Sequence, residues 1–273
     1  MSLKSAIREI IPPIILRLIL RVCNYGITYK GEYATWKSAL ESSSGYESPI
    51  IIESVCSAAK KVKNGDAVYE RDSVCFYKEQ YRWPTLACLL RVAAENEGKM
   101  NVLDYGGSLG SYYFQHKKYF SCLKRTLWAV VEQPAFVSCG QREFEDDTLR
   151  FYASIDECLQ NSDIDVVLMS AVLQYLQDPE SVLEKVCSIG ARFIIIDRIP
   201  YVDSVRDRLT VQTVPGRIYN VSYPAWFFSE KRLMGVLKNL KYSVVSELPC
   251  DDRANIVSKY RGLFLEKTEK NLN

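Results

Sequence analysis

Five short apolar runs, NVLDY (101–105), TLWAVVE (126–132), LRFYA (149–153), DVVLMSA (165–171) and RFIIIDR (192–198), alternate with segments of helical length. This alternation constrains the fold more than any other feature of the chain. Runs that are apolar at consecutive positions must be covered on both faces, and a parallel sheet with helices on each side does that. Two later runs, YSVVSEL (242–248) and RGLFLEK (261–267), have no helical pattern between them and are expected to pair antiparallel at the sheet edge. Seven strands result, with the last antiparallel. The expected fold class is therefore α/β and Rossmann-like, with residues 99–273 forming the sheet domain. Residues 30–98 read as mainly helical and aromatic (GEYATWKSAL, SPIIIESVCSAAKKV, YRWPTLACLLRVAAENEG), and residues 1–98 are expected to form a helical cap.

In an open α/β sheet, ligands bind beyond the carboxyl ends of the strands, where strand order reverses. The first run ends in Asp104 and delivers Gly106, Gly107 and Gly110 to that edge. Glycines there let ligand atoms approach the backbone and leave amide N–H groups free at the start of the next helix. The second run ends in Glu132, with Gln133 beside it; a carboxylate at this place can accept from both hydroxyls of a ribose. The site is built for a nucleoside.

Two nucleoside classes compete. A dinucleotide site wants G-x-G-x-x-G with its middle glycine against the pyrophosphate. Here that middle position is Ser108, and Asp104 would repel a pyrophosphate. S-adenosylmethionine carries no phosphate, and its amino group and sulfonium favour a nearby acid. The spacing D-x-G-x-S-x-G at Asp104, Gly106, Ser108 and Gly110 looks like the first motif of class I methyltransferases, with serine replacing the middle glycine.

Over almost its whole length the chain resembles a family of class I S-adenosylmethionine-dependent methyltransferases associated with bacterial surface-polysaccharide synthesis. The stretches that carry the resemblance are GEYATWKSAL, SSGYESPII, AVYERDSVCFY, YRWPTLACLL, VLDYGGSLGSYYFQ, VVEQPAFVSCG, AVLQYLQDPESVL, FIIIDRIPY and VSYPAWFFS. The resemblance implies S-adenosylmethionine as cofactor and a sugar or glycan acceptor, nucleotide-activated or lipid-linked, methylated on a hydroxyl or an amine. It also implies that Ser170, Ala171 and Gln174 line the methionine part of the cofactor, and that Arg71, in the segment before the first strand, pairs with its carboxylate, or else belongs to a salt-bridged surface segment. An NAD-dependent sugar-nucleotide oxidoreductase and a non-catalytic module of the same fold are the alternatives, because a fold does not fix a function.

Other candidates follow from position. Ser154 and Asp156, after the third strand, are placed to meet an adenine, or else they cap the next helix. Arg198, Tyr223 and Trp226 are suited to an acceptor, the aromatics by stacking on a sugar ring or else by filling core. A hydroxyl acceptor benefits from a general base. Asp197, which ends the fifth strand, is the first candidate, set against an ion pair with Arg198. His116 is the weaker one, because six residues beyond Gly110 put it about 9 Å along the helix.

A net charge of +2, with acids and bases mixed throughout, leaves no nucleic-acid footprint. Nine scattered cysteines without a C-x-x-C pair, and a single histidine, predict reduced thiols in a cytoplasmic protein and no metal site. The apolar segment IIPPIILRLILRV (10–22) is too short and too charged for a transmembrane helix, and no small-residue cleavage site marks it as a signal peptide. Two readings of residues 1–24 stay open. Either the stretch from Ile14 packs on the body of the protein, or it lies on a membrane surface with Lys4, Arg8, Arg17 and Arg21 near lipid phosphates.

Overall fold

The computed structural model of the protein describes residues 26–44, 49–216, 218 and 220–268. The basic apolar segment 10–22 lies outside the described residues. Among those described, no helix is long and apolar enough to cross a membrane.

The chain enters through β1 (Thr28–Tyr33), α1 (Trp36–Glu41), α2 (Pro49–Lys63), a hairpin of β2 (Tyr69–Arg71) and β3 (Val74–Phe76), and α3 (Trp83–Glu95). The alternating part follows: β4 (Lys99–Tyr105), α4 (Ser111–Phe120), β5 (Arg125–Val131), α5 (Pro134–Glu143), β6 (Leu149–Tyr152), α6 (Ile155–Asn161), β7 (Val166–Ser170), α7 (Pro179–Ser188) and β8 (Phe193–Val202). Then come β9 (Arg208–Thr213), β10 (Ser222–Ser229), α8 (Glu230–Asn239), β11 (Tyr242–Pro249) and β12 (Lys259–Lys267).

Seven strands form the expected sheet in the order β6-β5-β4-β7-β8-β12-β11, with β12 antiparallel to both neighbours. Consecutive residues of the central strands enter different apolar layers. Val102, Val130, Leu168 and Ile195 face the layer covered by α2 and α3, whereas Leu103, Ala129, Val167, Met169, Ile194 and Ile196 face the layer of Leu183 and Leu233. Each fully buried aliphatic side chain stabilises by about 1.5–3 kcal/mol, which is why the runs show no polar alternation. Strand order reverses between β4 and β7, and the site opens above their carboxyl ends.

The N-terminal part is not purely helical. GEYATWKSAL divides: Gly31–Tyr33 belongs to β1, and the helix begins only after Thr35, whose hydroxyl accepts from the Ser38 N–H at 3.2 Å. β1 pairs antiparallel with β9, and β9 pairs with β10. β10 continues the sheet beside the far end of β8, through Phe228↔Tyr201 and Ser229↔Val202, where the ten-residue β8 outruns β7. The β2–β3 hairpin turns at Asp72 and Ser73, both at positive φ (49° and 67°), the handedness a two-residue hairpin turn requires.

Candidate active site

A single cavity of about 930 Å³ runs from the glycine turn after β4 to the β2–β3 hairpin, α1 and the start of β10. That lies at the upper end of small-molecule sites and leaves room for a nucleoside and a second molecule.

The half of the cavity at the glycine turn is built by the strand ends. Gly106 (φ 72°) and Gly107 line the cavity, and each is glycine because the space for a Cβ is taken. At Gly106 it would sit 2.4 Å from Val172 Cγ2, and at Gly107 2.5 Å from the Asp104 carboxyl. Ser108 adopts φ 57°, the conformation a glycine would take at lower cost, and its N–H donates to Glu132 Oε1 at 3.2 Å. The Gln133 N–H donates to Glu132 Oε2 at 2.8 Å, so two backbone donors fix the carboxylate while burial raises its pKa. Asp104 is fully buried under the turn and takes the Trp128 indole N–H at 2.9 Å. Burial, with the Glu132 charge adding to it, pushes its pKa up to about 7. A cationic ligand in the cavity would return it to the carboxylate.

Most of the sequence-predicted cofactor residues converge here: Arg71, Asp104, Gly106, Gly107, Ser108, Glu132, Gln133, Ser170 and Ala171 all line the cavity. Four do not. Gly110 (φ 82°) starts α4, and a Cβ there would approach Leu149 Cδ2 at 3.0 Å, so it serves helix–strand packing. Ser154 caps α6 by accepting from the Glu157 N–H at 3.1 Å, and Asp156 turns outward into an exposed ion pair with Lys185 at 2.7 Å; Ala153 lines the cavity instead. Gln174 is buried in a short 3₁₀ turn and is not part of the cavity lining, although its neighbour Tyr175 is.

The two candidate bases are held elsewhere. Asp197 is 1% exposed and lies outside the cavity lining. Its carboxylate receives Arg82 Nη2 at 2.6 Å and Nε at 3.0 Å, the Thr85 hydroxyl at 2.9 Å and the Arg198 N–H at 2.9 Å. With four donors on two oxygens it has little capacity left to take a proton from an acceptor. The ion pair considered with Arg198 forms with Arg82 instead, and the Arg198 guanidinium turns to Asp252 at 2.6 Å. A side chain at Gly262 on the neighbouring strand would strike Asp197 Oδ1 at 2.6 Å, so this group also dictates its neighbour.

His116 is fully buried, stacked on Tyr112 at 4.2 Å. Its Nε2 accepts from the Arg82 N–H at 3.1 Å, which leaves Nδ1–H to donate to the Tyr112 carbonyl at 2.9 Å. Both nitrogens are committed, and burial pushes the pKa down to about 4. The neutral ring pins the start of α3 against α4.

The second half of the cavity is framed by Trp36, Leu40 and Ser44 near α1, Val55 of α2, Glu70, Arg71 and Asp72 of the hairpin, and Tyr175, Arg198, Tyr223 and Pro224. Of the three residues expected at the acceptor, Arg198 and Tyr223 line it. Trp226 does not: its indole donates to the Leu176 carbonyl at 3.0 Å and its ring stacks near Trp36 at 6.2 Å. Tyr175 donates to Gln212 at 2.8 Å, and Gln212 donates to the Tyr223 hydroxyl at 2.8 Å, tying this wall to β9. Arg71 forms no ion pair among the described residues, and burial and the neighbouring Arg198 charge lower its pKa.

Arg82, Thr85, Tyr175 and Glu70 were not among the expected site residues. All four lie inside the stretches that carry the resemblance, but only the packing of these segments over the sheet shows what they face. For Glu70 the one available signal was a charged pair, Glu70-Arg71, inside an aromatic stretch.

No family model and no curated protein sequence matches the chain. Among solved structures it is similar to 1,6-didemethyltoxoflavin-N1-methyltransferase from Burkholderia thailandensis (18% identity, 83% of this chain and 93% of that one covered, TM-score 0.44). It is similar also to magnesium protoporphyrin IX methyltransferase from Synechocystis (13% identity, 80% and 98% covered, TM-score 0.48). A third is an S-adenosylmethionine-dependent methyltransferase from Clostridium acetobutylicum (12% identity, 69% and 92% covered, TM-score 0.46).

Proposed function

We propose that this chain is an S-adenosylmethionine-dependent methyltransferase acting on a sugar in surface-polysaccharide synthesis. The observation that carries the reading is the pairing, in one cavity, of a glycine turn over a buried acid with a strand-terminal glutamate. Glu132, held by two backbone N–H groups, keeps its remaining lone pairs for ribose hydroxyls. Gly106 and Gly107 leave the backbone bare beside it, and Ala171 at φ 55° presents only a methyl group across the gap. Asp104 under the turn suits an amino group and a positive sulfur, and is hostile to a pyrophosphate. Arg71, a guanidinium without an ion-pair partner among the described residues, fits the methionine carboxylate, since buried charges are normally paired.

S-adenosylmethionine supplies a methyl group on a positive sulfur. The chain's task is positioning, which contributes most of the acceleration in a displacement between two bound molecules. Trp36, Tyr175, Tyr223 and Pro224 offer apolar faces, and Ser44, Gln177 and Arg198 offer polar groups, a mixture that suits a sugar ring. The resemblance to surface-polysaccharide methyltransferases supports a nucleotide- or lipid-linked acceptor on the cytoplasmic side. Within this reading residues 1–98 form the cap domain and 99–273 the cofactor domain.

Calorimetry with S-adenosylmethionine, S-adenosylhomocysteine and NAD tests the reading, together with labelled-methyl turnover on nucleotide sugars. Binding of the first two and not of NAD is expected. Binding of NAD alone would reverse the assignment.

A further inference from the structure

A methyltransferase that acts on amines needs no built-in base once the amine is neutral, whereas a hydroxyl benefits from one. Among the described residues, the cavity lining contains no histidine, lysine or cysteine. Of its four tyrosines, Tyr105, Tyr112 and Tyr175 are pushed above the ordinary phenol range by burial and stay protonated at neutral pH, and the Tyr223 hydroxyl accepts from Gln212 at 2.8 Å. Four carboxyl groups remain: Glu70, Asp72, Asp104 and Glu132. Asp104 lies beneath the Gly107 backbone with one oxygen on Trp128. Glu132 has a backbone donor on each oxygen and its remaining lone pairs are assigned above to the ribose hydroxyls. Asp72 is exposed on the hairpin turn, where water already solvates it.

Glu70 is different. It is 4% exposed yet lines the cavity on its cap side, where β2 packs against α2 and α4. The Ser111 hydroxyl donates to Oε1 and the Ser73 N–H donates to Oε2 at 3.3 Å. Each oxygen therefore keeps a lone pair. The charges acting on it are Asp72 and Arg71, of opposite sign; Val55 of α2 and Ser111 of α4, which line the same cavity, do not titrate. Burial outweighs these donors and pushes its pKa up to about 7, near the value at which a base serves best at neutral pH.

We propose that Glu70 is the general base of the reaction and that the methylated group of the acceptor is a hydroxyl. This rests on the methyltransferase reading. The acceptor oxygen forms its bond to the methyl carbon as the carbon–sulfur bond breaks, and that bond's electron pair stays on sulfur. The proton of the hydroxyl passes to a free lone pair of the Glu70 carboxylate. Sulfonium and carboxylate charges vanish together, leaving a methyl ether, a thioether and a neutral carboxylic acid that returns its proton to solvent.

The test needs no acceptor. Protein labelled with ¹³C at glutamate carboxyls is titrated by NMR free, with S-adenosylhomocysteine and with S-adenosylmethionine, and Glu70→Gln assigns the resonance. The midpoint is expected near 7 in the free protein and the homocysteine complex, and about one unit lower with S-adenosylmethionine, whose sulfonium stabilises a nearby carboxylate. Equal midpoints in the two complexes, or a midpoint in the ordinary carboxylate range, would overturn the proposal. Glu70→Gln should bind S-adenosylhomocysteine within about threefold of wild type; a loss of about thirtyfold would make Glu70 a cofactor-holding residue instead. If wild type binds neither compound, the methyltransferase reading itself fails, and the Glu70 proposal falls with it.

Discussion

The Arg82 guanidinium closes on both oxygens of Asp197, with Nη2 at 2.6 Å and Nε at 3.0 Å, and so fastens the residue that precedes α3 to the fifth strand of the sheet domain. Both side chains are largely buried, and Thr85 completes the set. Breaking a buried pair by removing one partner leaves an uncompensated charge and costs about 3–5 kcal/mol. Asp197→Ala should therefore lower unfolding free energy by that order in denaturant titration. Asp197→Leu combined with Arg82→Met should lose much less than the two single substitutions summed. Additive losses would mean that the pair does not act as a unit.

His116 makes stability depend on pH. Its folded pKa, about 4, lies below the ordinary 6.5, so the unfolded chain binds the extra proton between these values. The neutral ring's contribution is complete above about pH 6.5 and is lost as pH falls towards 4, about 3 kcal/mol in all. Glu70 and Asp104, both raised to about 7, act in the opposite direction in the ligand-free protein: their contribution is present below about pH 4 and fades as pH rises towards 7. The comparison that isolates His116 is therefore wild type against His116→Gln, by urea unfolding from pH 4.5 to 7.5. The stability difference should grow with pH; a constant difference would place the ring's titration outside this window.

The strand-terminal acids were legible because strand ends are a local pattern: Asp104, Glu132, Gly106 and Gly107 stand where the apolar runs predict. Asp197 was expected to end its strand, but β8 runs on to Val202, and its use as a structural ion was hidden because its partner Arg82 is 115 residues away. The same non-locality hid β1. TYKGEY becomes a strand because β9, some 180 residues later, offers it an edge. Asp156 misled for the opposite reason. Capping chemistry and ligand chemistry use the same residue types, and here the local use won at Ser154 while Asp156 turned to Lys185.

Gly106 was expected to leave room for the ligand, and the structure adds a second demand. Any Cβ there meets Val172 Cγ2 at 2.4 Å, and the φ of 72° is costly for other residues. Gly106→Ala should destabilise the fold by more than the roughly 1–2 kcal/mol of the backbone conformation alone. Adding Val172→Ala should recover the part due to the clash and leave the backbone part. Thermal unfolding of the three variants separates the two; no recovery would show that Val172 simply moves aside.

Calorimetry on Glu132→Ala tests whether Glu132 receives the ribose of S-adenosylmethionine beside the glycine turn, as proposed above. The wild-type protein should bind S-adenosylmethionine, and the variant, folded and with an unchanged cavity on its cap side, should bind it about 2 kcal/mol more weakly, roughly thirtyfold. Equal affinity in the two proteins would mean that Glu132 does not hold the ribose.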